Sequence, residues 1–476
     1  MTGFLRHIAL AFALTAMVGA PRPAAAADPF ATAALAAANA GSSLARPLDP
    51  RGPLDQRGPQ RAEPCTWGRQ GGPLSLPDVV DRALCNNPQT RAAWANARFQ
   101  AAQVGIAQSA FLPSAGLSVS SSRNVGANLS YNQTAATLSL SYLLYDFGGR
   151  DAALENARQI MAATNATQDA TLQSVFLSAV QAYYQWYATQ AQVAAARESE
   201  LASRESLKAA IARYQAGTAT PADKLQAQTA ASQATLTRIR AEGDANIARG
   251  TLANVMGLPA DQRLDIAAPA AIVPDTQFEA KVADLIAEAR RSRPDLAAAE
   301  AQVRAAKAGI DSARAAGMPS LSLFANSGVS HDTLSDTGRS NAVGIAVNIP
   351  IFSGFNTTYQ VRAAQEQLEI KRIQRDQTAL QISLDVWRAY NALLTEDQAV
   401  RAAADLRTSA TQSEQVAQGR YRAGVGGILD LLNAQSALAS ARQQHIQELY
   451  NWRLARVTLA QALGQLDFAA LDASAK

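Results

Sequence analysis

The chain has only three histidines and two cysteines in 476 residues, and none stands where catalysis would need it. His7 falls in an N-terminal apolar leader, His331 in a segment read as a loop between strands, and His445 alone on a helical seam. No group of His, Cys, Asp or Glu has the convergent spacing that a metal site requires. No G-x-S-x-G elbow or phosphate-cradling glycine loop occurs. The chain therefore reads as a non-enzyme with no catalytic, cofactor or metal residues. The aromatic run YYQWY at 183–187 invites a binding-site reading, but VWRAY at 386–390 holds the matching place on another long helical stretch, which favours packing.

The polar residues with most to offer lie in two copies of one motif, YQAGTATPAD from Tyr214 to Asp223 and YRAGVGGILD from Tyr421 to Asp430. A glycine in each permits a tight turn. An Asp at the start of a helix suits the helix dipole. Repeated around a symmetric pore, the same Asp becomes a ring of carboxylates, and such rings select cations. Both readings of Asp430 stand at this level.

These motifs belong to an internal duplication. Pro88 and Pro294 lie 206 positions apart, as do Pro113 and Pro319. Gly217 and Gly424, Asp223 and Asp430, and Gly257 and Gly464 are each separated by 207. FGG and FSG align Phe147 with Phe352, and hence Gly149 with Gly354, at 205. Each copy reads in the same order: a helical stretch (75–111 and 279–317), two short alternating strands, a very long helix, a glycine turn and a return helix.

In the strands, Leu138, Leu140, Tyr142 and Leu144 alternate with Thr137, Ser139 and Ser141, and Val343, Ile345, Val347 and Ile349 with Gly344, Ala346 and Asn348. Such a face meets either a protein core or lipid, and the second option makes an outer-membrane barrel. Four strands cannot close a barrel alone, so that option requires oligomerisation. The helix over 355–422 carries two apolar seams, Ile373, Leu380, Leu384, Trp387 and Leu394, and Ile382, Val386, Ala389, Leu393 and Val400. Their spacings of three, four and seven predict coiled-coil packing against a neighbour on each side.

Arg6 and His7, the apolar run 8–18 and the alanines at 24–27 read as a secretory signal peptide over 1–27. No other window is apolar enough for a spanning helix. A Pro/Gly-rich leader fills 28–74, the repeats occupy 75–257 and 279–465, a linker 258–278 joins them, and a tail ends at 466–476. Cys65 and Cys85 in an exported protein read as a disulfide. A net charge of +4, with no concentrated basic tract, argues against nucleic acid.

The motif set resembles the TolC-type outer-membrane factor family. Its elements are PSA and PSL before the first strand of each copy, F-x-G after the second, Y-x-A-G at the tip and LDLLNAQ beyond it. The resemblance implies a mainly α fold of long antiparallel coiled-coil hairpins with four strands per protomer. As a homotrimer this makes a transmembrane β-barrel, in outer-membrane lipid, continuous with a periplasmic α-helical barrel. It implies a passive duct for exported protein or drug, docked by a periplasmic adaptor and an inner-membrane ABC or RND transporter. It places a gate at Asp430, Asn433, Tyr421 and Asp223, and adaptor-docking tips at Ala216, Gly217, Thr218, Ala423, Gly424 and Val425. Strand-to-helix junctions fall on Phe147, Gly149, Phe352 and Gly354. Asn433 and Gly426 depart from the family's usual acidic and basic residues there. The unlipidated start, the leader RPLDPRGPLDQRGPQ and the CNNP run at 85–88 are similar to members that serve type I toxin secretion.

Overall fold

The computed structural model describes residues 28–32, 35, 73–125, 130–268, 281–334 and 337–466. The expected signal peptide, most of the leader, Cys65 with its proposed bridge, and all of the tail but Leu466 lie outside the described residues; Cys85 is buried.

The first repeat runs α1 (Leu76–Asn86), α2 (Pro88–Ser109), β1 (Ser114–Val125), β2 (Ser130–Tyr145), α3 (Gly149–Gln215) and α4 (Pro221–Val255). The second runs α5 (Val282–Ser292), α6 (Pro294–Ala315), β3 (Ser320–Asp332), β4 (Gly338–Asn348), α7 (Asn356–Arg422) and α8 (Ile428–Ala462). Corresponding helices have equal lengths of 11, 22, 67 and 35 residues. The opening helical stretches are each two helices rather than one. Proline takes the first helical position at 88 and 294, and Asn87 and Arg293 before it are held extended at ψ 130° and 122°. A proline disfavours helical geometry in the residue it follows, which breaks the helix there.

The four strands form one antiparallel sheet in the order β1-β2-β3-β4. Register aligns Leu117 with Leu138 and, one row on, Ala115, Leu140, Ala325 and Val343. Leu321, Leu323, Ile345 and Val347 continue this face, which is exposed: Val343 is 79% accessible. The opposite face carries Ser118, Ser139, Ser141, Ser322, Asn326 and Ala346, with Phe324 lying across Gly344. His331, read as loop, closes β3.

At the strand-to-helix bends, α3 and α7 begin 207 positions apart, so Phe147 corresponds to Gly354 and Tyr145 to Phe352. The 205-residue match of FGG to FSG is therefore two positions out of register. Each bend needs two successive left-handed residues, supplied by Phe147 and Gly148 (φ 54° and 83°) in one copy and Gly354 and Phe355 (62° and 66°) in the other. Gly149, expected to make the first bend, is instead the first residue of α3. A phenylalanine in this region is strained, and each is met edge-on by an aromatic neighbour, Tyr145 on Phe147 and Phe352 on Phe355.

A helix of 67 residues is about 100 Å long. Neither return helix spans that length, so two shorter helices complete the pair: α2 and α4 both lie along α3, and α6 and α8 along α7. They meet end to end through glycine. A Cβ on Gly257 would sit 2.6 Å from the Asn86 carbonyl oxygen, and one on Gly464 would sit 3.0 Å from that of Ser292. Asn87 Nδ2 donates to the Val255 carbonyl across the first junction at 2.9 Å.

Around the first junction, Val79, Val80 and Leu84 of α1 pack on Leu172, Phe176 and Tyr183 of α3, with Ile266 and Leu466. The YYQWY run is packing here: Tyr183 and Tyr184 are buried, and the Tyr183 hydroxyl donates to the Ala267 carbonyl at 2.7 Å. Residues 265–267 of the linker bridge to Leu74 as a strap over this cluster.

Asp81 sits on the same α1. Burial, aided by the Asp78 charge, raises its carboxyl from near 3.8 to about 6. The folded protein then takes up this proton before the unfolded chain does as pH falls. Asp81 therefore weakens the fold above pH 6, and the effect fades as pH drops toward 3.8. Asp81→Asn is expected to stabilise by about 1–2 kcal/mol at pH 7.5, after allowance for partial exposure, and to do nothing at pH 3.5. Thermal melts of both proteins across that range check it.

Candidate functional site: the hairpin tips

The ends of α3 and α7 farthest from the sheet are built alike. Gly217 and Gly424 take positive φ (75° and 80°) one residue beyond each helix cap. Thr218 donates its amide to Arg213 and Gly217 to Tyr214; Val425 and Gly424 repeat this on Arg420 and Tyr421. This pattern is the Schellman stop signal, and it consumes the last helical carbonyls. Ala216, Gly217, Thr218, Ala423, Gly424 and Val425 all lie exposed at these turns.

The return helices start differently. Thr220 caps α4 through a reciprocal box: the Asp223 carboxylate accepts the Thr220 amide at 2.8 Å and its hydroxyl at 2.9 Å. These bonds, with the nearby Arg213 charge, lower the Asp223 carboxyl below the ordinary carboxylate range. In the second copy Gly427 stands where Thr220 does and offers no hydroxyl, so α8 has no side-chain cap. Asp430 is left exposed in the first turn, with Asn433 one turn on along the same face. One glycine for one threonine thus separates a structural carboxylate from one presented to solvent.

The two hairpins are joined near their tips. The Tyr421 ring is 5% exposed and packs with Ala210, Ala227, Ile428 and Leu431, with the Arg213 guanidinium 4.7 Å above it. Its hydroxyl is buried and finds no hydrogen-bond partner among the described residues. Farther up, Gln435 Nε2 donates to Ser206 Oγ at 3.0 Å, and Arg442 pairs with Glu198 at 3.0 Å. Tyr214, the counterpart of Tyr421, is exposed instead, with the Lys224 ammonium 5.4 Å from its ring. A Cβ on Gly426 would sit 3.1 Å from the Arg420 Cβ and 3.2 Å from both the Arg420 carbonyl carbon and the Tyr421 nitrogen, so the basic side chain that the resemblance places there does not fit this turn without a shift.

Of the four residues expected at a gate, then, Tyr421 links the hairpins, Asp223 caps its own helix, and Asp430 and Asn433 remain free on one face. Arg213, Ser206, Gln435, Glu198 and Arg442 were not foreseen. Three of them recur in the other repeat, as Arg420, Ser413 and Gln228, while Glu198 and Arg442 correspond to Asp405 and Thr235. The duplication marks positions but not the contacts between hairpins, which are tertiary. Arg150 was missed at the sheet end because its counterpart differs: it donates to the Leu143 carbonyl at 2.8 Å and stacks on Phe111, whereas Thr357 stands in its place in the second copy.

A duplicated chain whose sheet turns an apolar face outward and runs straight into 100 Å helical hairpins is an outer-membrane channel component. The chain belongs to the outer membrane efflux protein family, whose model matches residues 79–258 and 285–465. It is 31% identical over 408 residues to Protein CyaE of Bordetella pertussis, covering 84% of this chain and 86% of that one. It is 28% identical to the outer membrane efflux protein BepC of Brucella suis, covering 82% and 86%. The fold matches the Campylobacter jejuni CmeC outer membrane channel with a TM-score of 0.74 at 20% identity, over 84% of this chain and 89% of that one. The protein resides in the outer membrane, and its family and fold are those of channels.

Proposed function

We propose that three copies of this chain form an outer-membrane exit duct for type I protein secretion, closed at rest by its periplasmic tips. One observation carries the assembly: every open edge of the protomer is one that another copy would cover. β1 and β4 have unpaired edges, and free edges in a sheet invite pairing. Of the two seams on α7, Ile382, Val386, Leu393 and Val400 are buried within the protomer, while Ile373, Leu380, Leu384 and Trp387 face solvent. Three sheets of four strands give twelve, an even number within the range of outer-membrane barrels.

In this reading the duct is passive. An inner-membrane ABC transporter supplies the energy, and a periplasmic adaptor engages the turns at Gly217 and Gly424. Asp430 from each copy makes a carboxylate ring at the mouth, which favours cations. The likeness to CyaE and the CNNP run at 85–88 support protein cargo. The likeness to BepC supports the second reading, small-molecule efflux through the same duct.

Planar-bilayer recording of the purified trimer tests the proposal. Small, cation-selective openings are expected, with cation preference reduced in Asp430→Ala. A trimer that never conducts, in either form, would overturn the duct.

A further inference from the structure

The four strands hold few charged residues: Arg123, Asp332 and Arg339, with His331 beside the Asp. All lie at the ends of the strands away from the helices. Their side chains are sorted by face. Arg123 sits two residues beyond Ser121 and four beyond Val119, on the face of Leu117; Arg339 pairs with Val329 on that face. Asp332 pairs with Gln133, which pairs with Ser122, on the opposite face. Both arginines therefore stand exposed at the outer edge of the apolar band, and the one strand carboxylate points to the interior.

The arginines are also on the two edge strands, β1 and β4. Within one protomer they stand at opposite sides of the sheet. In a closed ring, β4 of one copy lies antiparallel beside β1 of the next, and the two residues meet at the seam between copies.

We infer that Arg123 and Arg339 form a clamp at each protomer seam for the phosphate of an outer-leaflet glycolipid. This rests on the trimeric reading above. The chemistry favours phosphate: guanidinium groups bind it through paired, charge-assisted hydrogen bonds. An arginine on the lipid face is tolerated near the interface and not at mid-membrane, so its depth and its ligand agree. The arrangement would tie the seams, which lack covalent linkage, to the membrane's own anions.

Native mass spectrometry of the full-length protein in detergent, with added bisphosphorylated lipid A or its dephosphorylated form, tests this. The trimer is expected to retain the phosphorylated lipid, and Arg123→Gln/Arg339→Gln to lose it by about tenfold or more in affinity, the effect of removing charged hydrogen bonds. Arg123→Lys/Arg339→Lys should keep a measurable preference for phosphate, which separates loss of charge from failed folding. A trimer that holds both lipids equally would overturn the clamp and leave the duct standing. A chain that stays monomeric would overturn both.

Discussion

Changing Leu380 and Trp387 of α7 together to Glu is expected to convert the proposed trimer to monomers in detergent, read by light scattering after size exclusion. Both side chains are exposed in the isolated protomer, Leu380 at 69%. They share the seam with Ile373 and Leu384, and none of the described residues of their own chain covers it. Burying one large apolar side chain contributes about 1.5–3 kcal/mol. Two such losses per interface, plus unpaired carboxylates in an apolar contact, exceed what a marginal interface tolerates. Leu380→Met with Trp387→Phe keeps shape and apolarity and should stay trimeric. A trimer that survives the double Glu change at full thermal stability would remove the seam from the assembly.

The second large effect concerns the tips. Tyr421→Ala is expected to raise the open probability of bilayer-inserted trimers by about a hundredfold, because emptying a buried aromatic site costs about 3–5 kcal/mol and part of that falls on the closed contact alone. Arg213→Ala should act in the same direction and more weakly, since a cation–π contact contributes about 0.5–2 kcal/mol. Tyr421→Phe discriminates between packing and hydrogen bonding. The hydroxyl is buried without a partner among the described residues, so its removal should leave gating unchanged or slightly tighter. If Tyr421→Ala trimers conduct as the parent does, Tyr421 is not the link that holds the hairpins together.

Much of this architecture is readable in the sequence because it is periodic and written twice. The strand alternation at 137–144 and 343–350 and both seams of α7 follow from side-chain geometry alone. The same is true of the glycine turns, where only a residue without Cβ takes positive φ freely. The failures at the bends and at the helix caps share one cause, which is that backbone conformation can be kept while residues change; the others are tertiary contacts. Phe147–Gly148 and Gly354–Phe355 make the same bend in opposite order, so matching letters misplaced the register by two. The breaks before Pro88 and Pro294 lay in plain view, but the end-to-end contacts that let a helix pair continue across them are tertiary. At the tips, Asp223 and Asp430 look equivalent in the chain. Their difference comes from residues 220 and 427, three positions earlier, and shows only once the cap is built.

The equal lengths of corresponding helices in the two repeats carry a further consequence. One added residue in α3 or α7 would advance everything below it by 1.5 Å and turn it by about 100°, rotating a buried seam toward solvent. Only additions that return each seam to the same azimuth, about seven residues at a time, keep the staves in phase. In the proposed trimer every stave touches a neighbour on each side, so an addition must enter all of them at the same height. The length of such a duct is therefore quantised: it cannot drift by single residues, and it grows or shrinks only by whole coordinated steps.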